Sequence, residues 1–443
     1  MQRGIRTIAS VAALSGMSLA TGQAVAATEV VWWHAMEGGL GEKIDEIVGD
    51  FNQSQSDYHV TPVYKGDYVD NMTATIAAFR SGNPPAISQI YEVGTATMMN
   101  ARGAIYPVHE LMNESDQSFD PDDYLAAVTG YYTTEDGQML SMPFNSSTPV
   151  VYYNRDIFEA AGLDPDSPPT TWPELAEASQ QIIESGAAAC GFTTTWPSWI
   201  QLENLTARHE LPFASEGNGF GGPSARLQFD ESDAVVAHMQ NLVDWQESGV
   251  FSYGGAADQA QPQFFTQDCA MMMASSASYA SVRDNSTGFD FGVAPLPWYP
   301  EAIDEPANSI IGGASLWVMQ GHDEAVYDGV AAFFSHLSSP EVQADWHQFT
   351  GYLPITEAAF ELTREQGFYE ENPGTEIAIE QMTGGEPSEY SRGIRLGNFP
   401  QIREAIRDQM ASALSGDKSA EQAMQDAADD GNELLSQFES SVN

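Results

Sequence analysis

Four of the chain's 16 basic residues, Arg392, Arg395, Arg403 and Arg407, fall within 16 consecutive positions, with Glu404 the only acid among them. The rest of the sequence runs the other way, with 63 Asp and Glu and a formal charge of −47. A guanidinium cluster in so acidic a chain has the chemistry of an anion site, because its forked donors match carboxylate or phosphate oxygens. The alternative is a face where the arginines pair with acids elsewhere in the fold. Arg403 stands apart. It lies just inside a helix that the sequence starts at Pro400, so its side chain leans back toward free N–H groups. A helix start beside a guanidinium suits phosphate.

Motifs for covalent or metal chemistry are missing. No GxSxG, GxxxxGK[ST], HExxH or CxxC occurs, and the eight histidines are scattered. Asp120–Asp123 and the acidic run at 429–433 superficially suggest calcium, but neither has the loop spacing. No metal, cofactor or catalytic residue is expected. The acid excess also disfavours nucleic acid and anionic membranes, which need basic patches. With only three lysines, Lys43, Lys65 and Lys418, the surface suits a salt-rich exterior. At about 1 M salt the Debye length falls to ~3 Å, so direct contacts decide whether an anion binds.

The elements that must position these residues follow from periodicity. Residues 1–27 read as a cleaved leader: Arg3 and Arg6 precede a short apolar run, and Ala24-Val25-Ala26 fits the cleavage rule. The remaining chain, about 416 residues (443 less 27), is natural for two large lobes. Glu29–Trp33, His59–Tyr64 and Ala86–Val93 read as strands separated by helices over Gly41–Phe51 and Val69–Phe79, a β-α-β-α-β order that argues for an α/β sheet. Loops at the strands' carboxyl ends, where ligands sit in such sheets, carry Trp33-His34, Gly66-Asp67-Tyr68 and Tyr91-Glu92. Thr171 and Glu174 form a capping-box pattern. The stretch 135–149 reads as turn-formers, and Phe291–Leu296 as a strand before Pro297. From Ala325 onward the chain is mostly helical. Cys190 and Cys269 are free to pair or not, as far as spacing goes.

Longer motifs carry a resemblance: WWHAMEGGLGEKID, YKGDYVDNMTATIAAFRSGNPPAI, YEVGTATMM, PFNSSTPVVYYN, WIQLEN, DCAMMMASS, IIGGASLWVMQG, WHQFTGYLPIT, LTREQGFYEENPG and RLGNFPQIR occur in that order. Together they closely resemble the periplasmic sn-glycerol-3-phosphate-binding proteins of ABC importers, which also take glycerophosphodiesters such as glycerophosphocholine. The resemblance implies a two-lobe, maltose-binding-protein-like α/β fold. Residues 28–143 plus 292–337 would form lobe 1, and 148–291 plus 338–443 lobe 2. Hinges would lie near 143–149, 291–297 and 336–340. It further implies a phosphate end held by Ser147, Ser275, Gly313, Tyr352 and Arg403, and a glycerol end held by Tyr68 and Glu92. Trp196 and Trp199 would pack on the alcohol or choline. The implied partner is the membrane permease, with the receptor acting as a monomer and no reaction catalysed. Two rivals remain: a binder of neutral oligosaccharide on the same fold, and a secreted phosphodiesterase.

Overall fold

The computed structural model describes residue 1 and residues 26–442; the expected leader, apart from its ends, lies outside the described residues. Among them, eleven strands form two sheets: β1 (Thr28–His34), β2 (Tyr58–Tyr64), β3 (Ile87–Tyr91), β4 (Ile105–Tyr106), β5 (Met142–Ser147), β6 (Pro149–Asn154), β7 (Cys190–Thr194), β8 (Phe251–Tyr253), β9 (Cys269–Ser275), β10 (Phe291–Ala294) and β11 (Gly312–Met319). The first sheet runs β2-β1-β3-β11-β4, with β5 also on β11; the second runs β10-β6-β9-β7-β8.

The opening β-α-β-α-β run is as expected. Parallel β1, β2 and β3 are joined by helices Gly38–Ser54 and Tyr68–Arg80. Ile44, Ile47, Val48 and Phe51 recur at three- and four-residue spacing and form the first helix's buried stripe, each worth ~1.5–3 kcal/mol of burial. Thr171 and Glu174 close the capping box that starts helix Trp172–Ser185.

Three expectations need correction. The stretch expected as turn-formers contains β5, buried throughout and antiparallel to β11. Its amides are satisfied sideways: Gln89 donates to Asn145 Oδ1 at 2.8 Å, and Asn145 donates to the Tyr68 hydroxyl at 2.9 Å. A polar strand can therefore be buried without the apolar alternation that would reveal it. The lobe boundary at 292 falls inside β10, whose Phe291–Ala294 pairs with Asn154–Val151 of β6 in the second sheet. Residues 338–355 are not confined to the second sheet's side. Lys43 pairs with Asp345 at 2.5 Å, Trp346 stacks on Phe144 of β5, and Leu353 N–H donates to the Ser146 carbonyl at 2.7 Å.

Two crossings between the sheets touch each other, for Thr148 donates to Ser309 Oγ at 2.6 Å. In the second sheet Cys190 and Cys269 are register partners on parallel β7 and β9 and form a disulfide. Helix Phe399–Leu414 packs on the terminal helix Ala420–Val442 and reaches the single turn Glu92–Gly94 that follows β3. That reach creates the site.

Candidate functional site

Helix Phe399–Leu414 buries Phe399, Ile402, Ile406 and Met410 along one stripe, and Arg403 sits beside it. The cap residue Asn398 has φ +52, a left-handed value that Asn tolerates better than most residues. Arg403 is 7% exposed. Its Nε and Nη2 donate to the two oxygens of Glu203 at 2.7 Å each, and Nη1 lies 2.7 Å from Glu92 Oε1. Glu92 comes from the end of β3 in the first sheet, and Glu203 from a π-helical turn, Trp199–Glu203, after β7. The triad thus ties the two sheets' elements together.

Arg403 is therefore not the isolated charge that its spacing suggested. It carries two carboxylates, and the cluster sums to −1. Burial works against the Arg403 charge but is outweighed by Glu203 and then Glu92, so its pKa is raised. For Glu92 burial dominates; Arg403 opposes it and Glu203 reinforces it, leaving the carboxyl above its ordinary range. One cation shared between two acids leaves the singly contacted one, Glu92, the less comfortable.

Next to the triad lies an aromatic and amide wall. Tyr68 stacks on Tyr91 at 5.3 Å with parallel rings, and its hydroxyl lies 3.3 Å from that of Tyr352. Tyr352 in turn stacks on Trp346 at 5.7 Å. Burial raises the pKa of both phenols, Tyr68 and Tyr352, so they stay protonated and able to donate. Gly313 has φ +94, and a Cβ there would collide with the Asn145 carbonyl, so glycine alone lets β11 press on β5. Ser147, the last residue of β5, is the register partner of Gly312. The Trp199 ring covers Gly312 closely enough that a Cβ would strike it, and the buried Trp199 Nε1 has no acceptor among the described residues.

Two expected residues stand further along the rim. Ser275 ends β9 opposite Pro149 and uses its oxygen to cap the next turn, accepting from Ala277 N–H at 3.2 Å. The hydroxyl of its buried neighbour Ser276 has no partner among the described residues. Trp196 holds φ +43, strained for a bulky residue, and donates its indole N–H to Asp258 at 3.1 Å. The structure thus brings Tyr68, Glu92, Ser147, Trp199, Gly313, Tyr352 and Arg403 into one connected set. Glu92 and Arg403, expected at opposite ends of a ligand, touch each other. Of the other arginines, Arg395 donates to the Tyr131 and Thr133 carbonyls at 3.3 and 2.7 Å, and Arg407 pairs with Glu404 at 3.5 Å.

Sequence reasoning missed Glu203 and Asn145. Glu203 had a signal: it is the only charged residue from Ser185 to Ala207. An acid alone in an uncharged, buried run needs a partner. Asn145 had none, since nothing in the run Pro143–Pro149 distinguishes a turn amide from a strand amide.

Two α/β layers linked by crossing segments, with a polar site assembled from both, define the solute-binding class of protein. The chain belongs to the bacterial extracellular solute-binding protein family, whose model matches residues 46–376. It is 50% identical over 425 residues to the sn-glycerol-3-phosphate-binding periplasmic protein UgpB of Salmonella typhimurium, covering 96% of each chain. The Escherichia coli (strain 536) protein of that name is 48% identical over 439 residues, 99% of each. Among solved structures, UgpB from Mycobacterium tuberculosis in complex with glycerophosphocholine superposes with a TM-score of 0.78 at 22% identity, over 93% of this chain and 99% of that one. Maltose-bound MalE3 of T. maritima gives 0.76 at 18% identity, over 92% and 100%. The two-lobe, maltose-binding-protein-like fold is the fold of this chain.

Proposed function

We propose that this protein is the periplasmic receptor of an ABC importer for sn-glycerol-3-phosphate and glycerophosphodiesters such as glycerophosphocholine, delivering them unchanged to the membrane permease as a monomer. The observation that carries this reading is the buried Glu203–Arg403–Glu92 triad beside a rim of uncharged donors. A glycerol hydroxyl donates and accepts, so it pairs with carboxylate and guanidinium together. A deprotonated phosphoryl oxygen only accepts, and its complement is the neutral rim: the Ser147 and Ser275 hydroxyls, the Gly313 N–H and the Tyr352 phenol. On this reading Arg403 and Glu92 both serve the glycerol, Tyr68 supports them, and Trp196 and Trp199 pack on the alcohol or choline. The identity of 48–50% to proteins named for sn-glycerol-3-phosphate supports the ligand class. Closure is a hinge motion about the crossings near 143–149 and 294–312, with ligand contacts from both lobes shifting the balance toward the closed form.

One observation favours the oligosaccharide rival. A guanidinium already balanced by carboxylates is also a partner for sugar hydroxyls, so Arg403 alone does not separate the two. Calorimetry does. Glycerol-3-phosphate and glycerophosphocholine are expected to bind and maltose not to, with both ligands recovered intact after incubation; binding of maltose alone, or hydrolysis of the diester, contradicts the proposal.

A further inference from the structure

The charge balance of the cleft has a consequence for the ligand. Arg403 supplies +1 and Glu92 and Glu203 supply −2 in a buried cluster. Among the described residues, no neighbouring element adds a cation that lacks an acid, a carbonyl or an aromatic ring against it. Arg407, one turn on, is balanced by Glu404 at 3.5 Å and reaches the Ala256 carbonyl at 3.5 Å, with its buried Nε left without a partner among the described residues. Arg395, behind Tyr131, is spent on two carbonyls and the Phe220 ring. Lys65, at the end of β2, lies over the Trp33 ring at 3.9 Å. On the opposite rim Asp258 adds a negative charge beside Trp196.

The remaining titratable groups do not change that sum near neutrality. Tyr68, Tyr91, Tyr131 and Tyr352 are all held above their ordinary range, chiefly by burial, and stay neutral. His347, whose Nδ1 faces the Tyr352 carbonyl, is pushed down to about 4 by burial, and His34 is lowered for the same reason. A phosphomonoester dianion entering such a cleft would leave several like charges out of water with a single guanidinium among them. A phosphodiester carries one negative charge, and a choline headgroup brings a cation of its own.

We propose that the cleft takes its phosphoryl ligand as a singly charged anion: a phosphodiester as it stands, and a phosphomonoester only together with one proton drawn from solvent. This rests on the glycerophosphoryl reading above. The proton resides on the phosphoryl oxygen or on Glu92, the less compensated of the two acids, and either location gives the same stoichiometry. A phosphomonoester has its second pKa near ~6 in water, and like charges around it raise that value in the complex. A proton held more tightly in the complex than in solution gives full affinity below the free pKa. Affinity then falls as pH rises, by roughly tenfold per unit for one linked proton.

The test is calorimetry of the intact protein with sn-glycerol-3-phosphate and with glycerophosphocholine, in buffers of different ionisation enthalpy and at several values between pH 6 and pH 8. The expected result is uptake of between half and one proton per monoester at the alkaline end, with affinity weakening roughly tenfold per unit there. The diester is expected to exchange none and to bind with a flat profile. Glu203→Gln should reduce the uptake, and Glu92→Gln provides a second variant if the first does not fold. Tight monoester binding with no proton exchange and no pH dependence overturns the inference while leaving the receptor reading intact. Undiminished uptake in folded variants overturns the role given to the triad. Failure of both ligands to bind removes the receptor reading, and this inference with it.

Discussion

Arg395 and Arg403 are eight residues apart, both at least nine-tenths buried, and their surroundings are opposite. Arg403 is clasped by two carboxylates, which outweigh the cost of burial and raise its pKa. Arg395 has two backbone carbonyls and the face of Phe220 at 4.2 Å, a ring that Arg392 also covers at 4.1 Å. There burial prevails, with Tyr131 opposing it and Arg392 adding to it, and the pKa is lowered. Around Arg392 and Arg395 a cavity of about 670 Å³ opens between residues 126–137, 216–221 and 309–311, with Glu135, Glu216 and Glu389 on its walls. Burial of a guanidinium does not by itself make a ligand site. What separates the two is that Arg403 is held in a polar cluster connected to unspent donors, whereas Arg395 is consumed by the fold.

The comparison can be broken by substitution. Arg403→Ala leaves two buried carboxylates without a cation, so it should cost about 3–5 kcal/mol of stability and abolish measurable ligand binding. Thermal unfolding and calorimetry on the same sample check both, and a folded variant with unchanged affinity removes Arg403 from the site. Trp199→Ala should weaken glycerophosphocholine binding by roughly tenfold or more, since a stacked aromatic face is worth about 0.5–1.5 kcal/mol beyond its buried area. Equal affinity before and after would end its packing role.

Arg395→Met should lower stability by about 2 kcal/mol, through lost carbonyl hydrogen bonds and the cation–π contact, and leave ligand affinity within about threefold. A large loss of affinity with unchanged stability would erase the contrast between the two arginines. The smallest effect has the opposite sign. The folded-state pKa of Glu92 is raised, so its contribution is most favourable below its unfolded value and is lost as pH rises through the folded one. Glu92→Gln should therefore raise the melting temperature at pH 7 by a few degrees, with the gain vanishing near pH 4, while weakening ligand binding. A fall in melting temperature would show that Glu92 and Arg403 are better matched than their surroundings imply.

Much of the fold was legible because burial on both faces leaves continuous apolar runs and helices leave three- and four-residue spacing. Those signals located β1, β2, β3 and β10 within a few residues. They failed at β5, where Asn145 and its neighbours are polar yet buried, satisfied by Gln89 and Tyr68 from distant parts of the chain. The site was legible as residues but not as a charge balance. Arg403 and Glu92 were visible, and the residue that determines how they behave, Glu203, is 200 positions from Arg403 and became meaningful only when the second lobe brought it there. A helix start and a basic island favoured a phosphate ligand at Arg403; with two carboxylates at 2.7 Å, the proposed function gives it the glycerol hydroxyls instead.

The most direct test of the receptor reading is a single calorimetric series, with the purified protein titrated at high salt against sn-glycerol-3-phosphate, glycerophosphocholine and maltose. Saturable one-to-one binding of at least one glycerophosphoryl compound is expected, and none of maltose. Saturable binding of maltose with no heat from either glycerophosphoryl compound would contradict it.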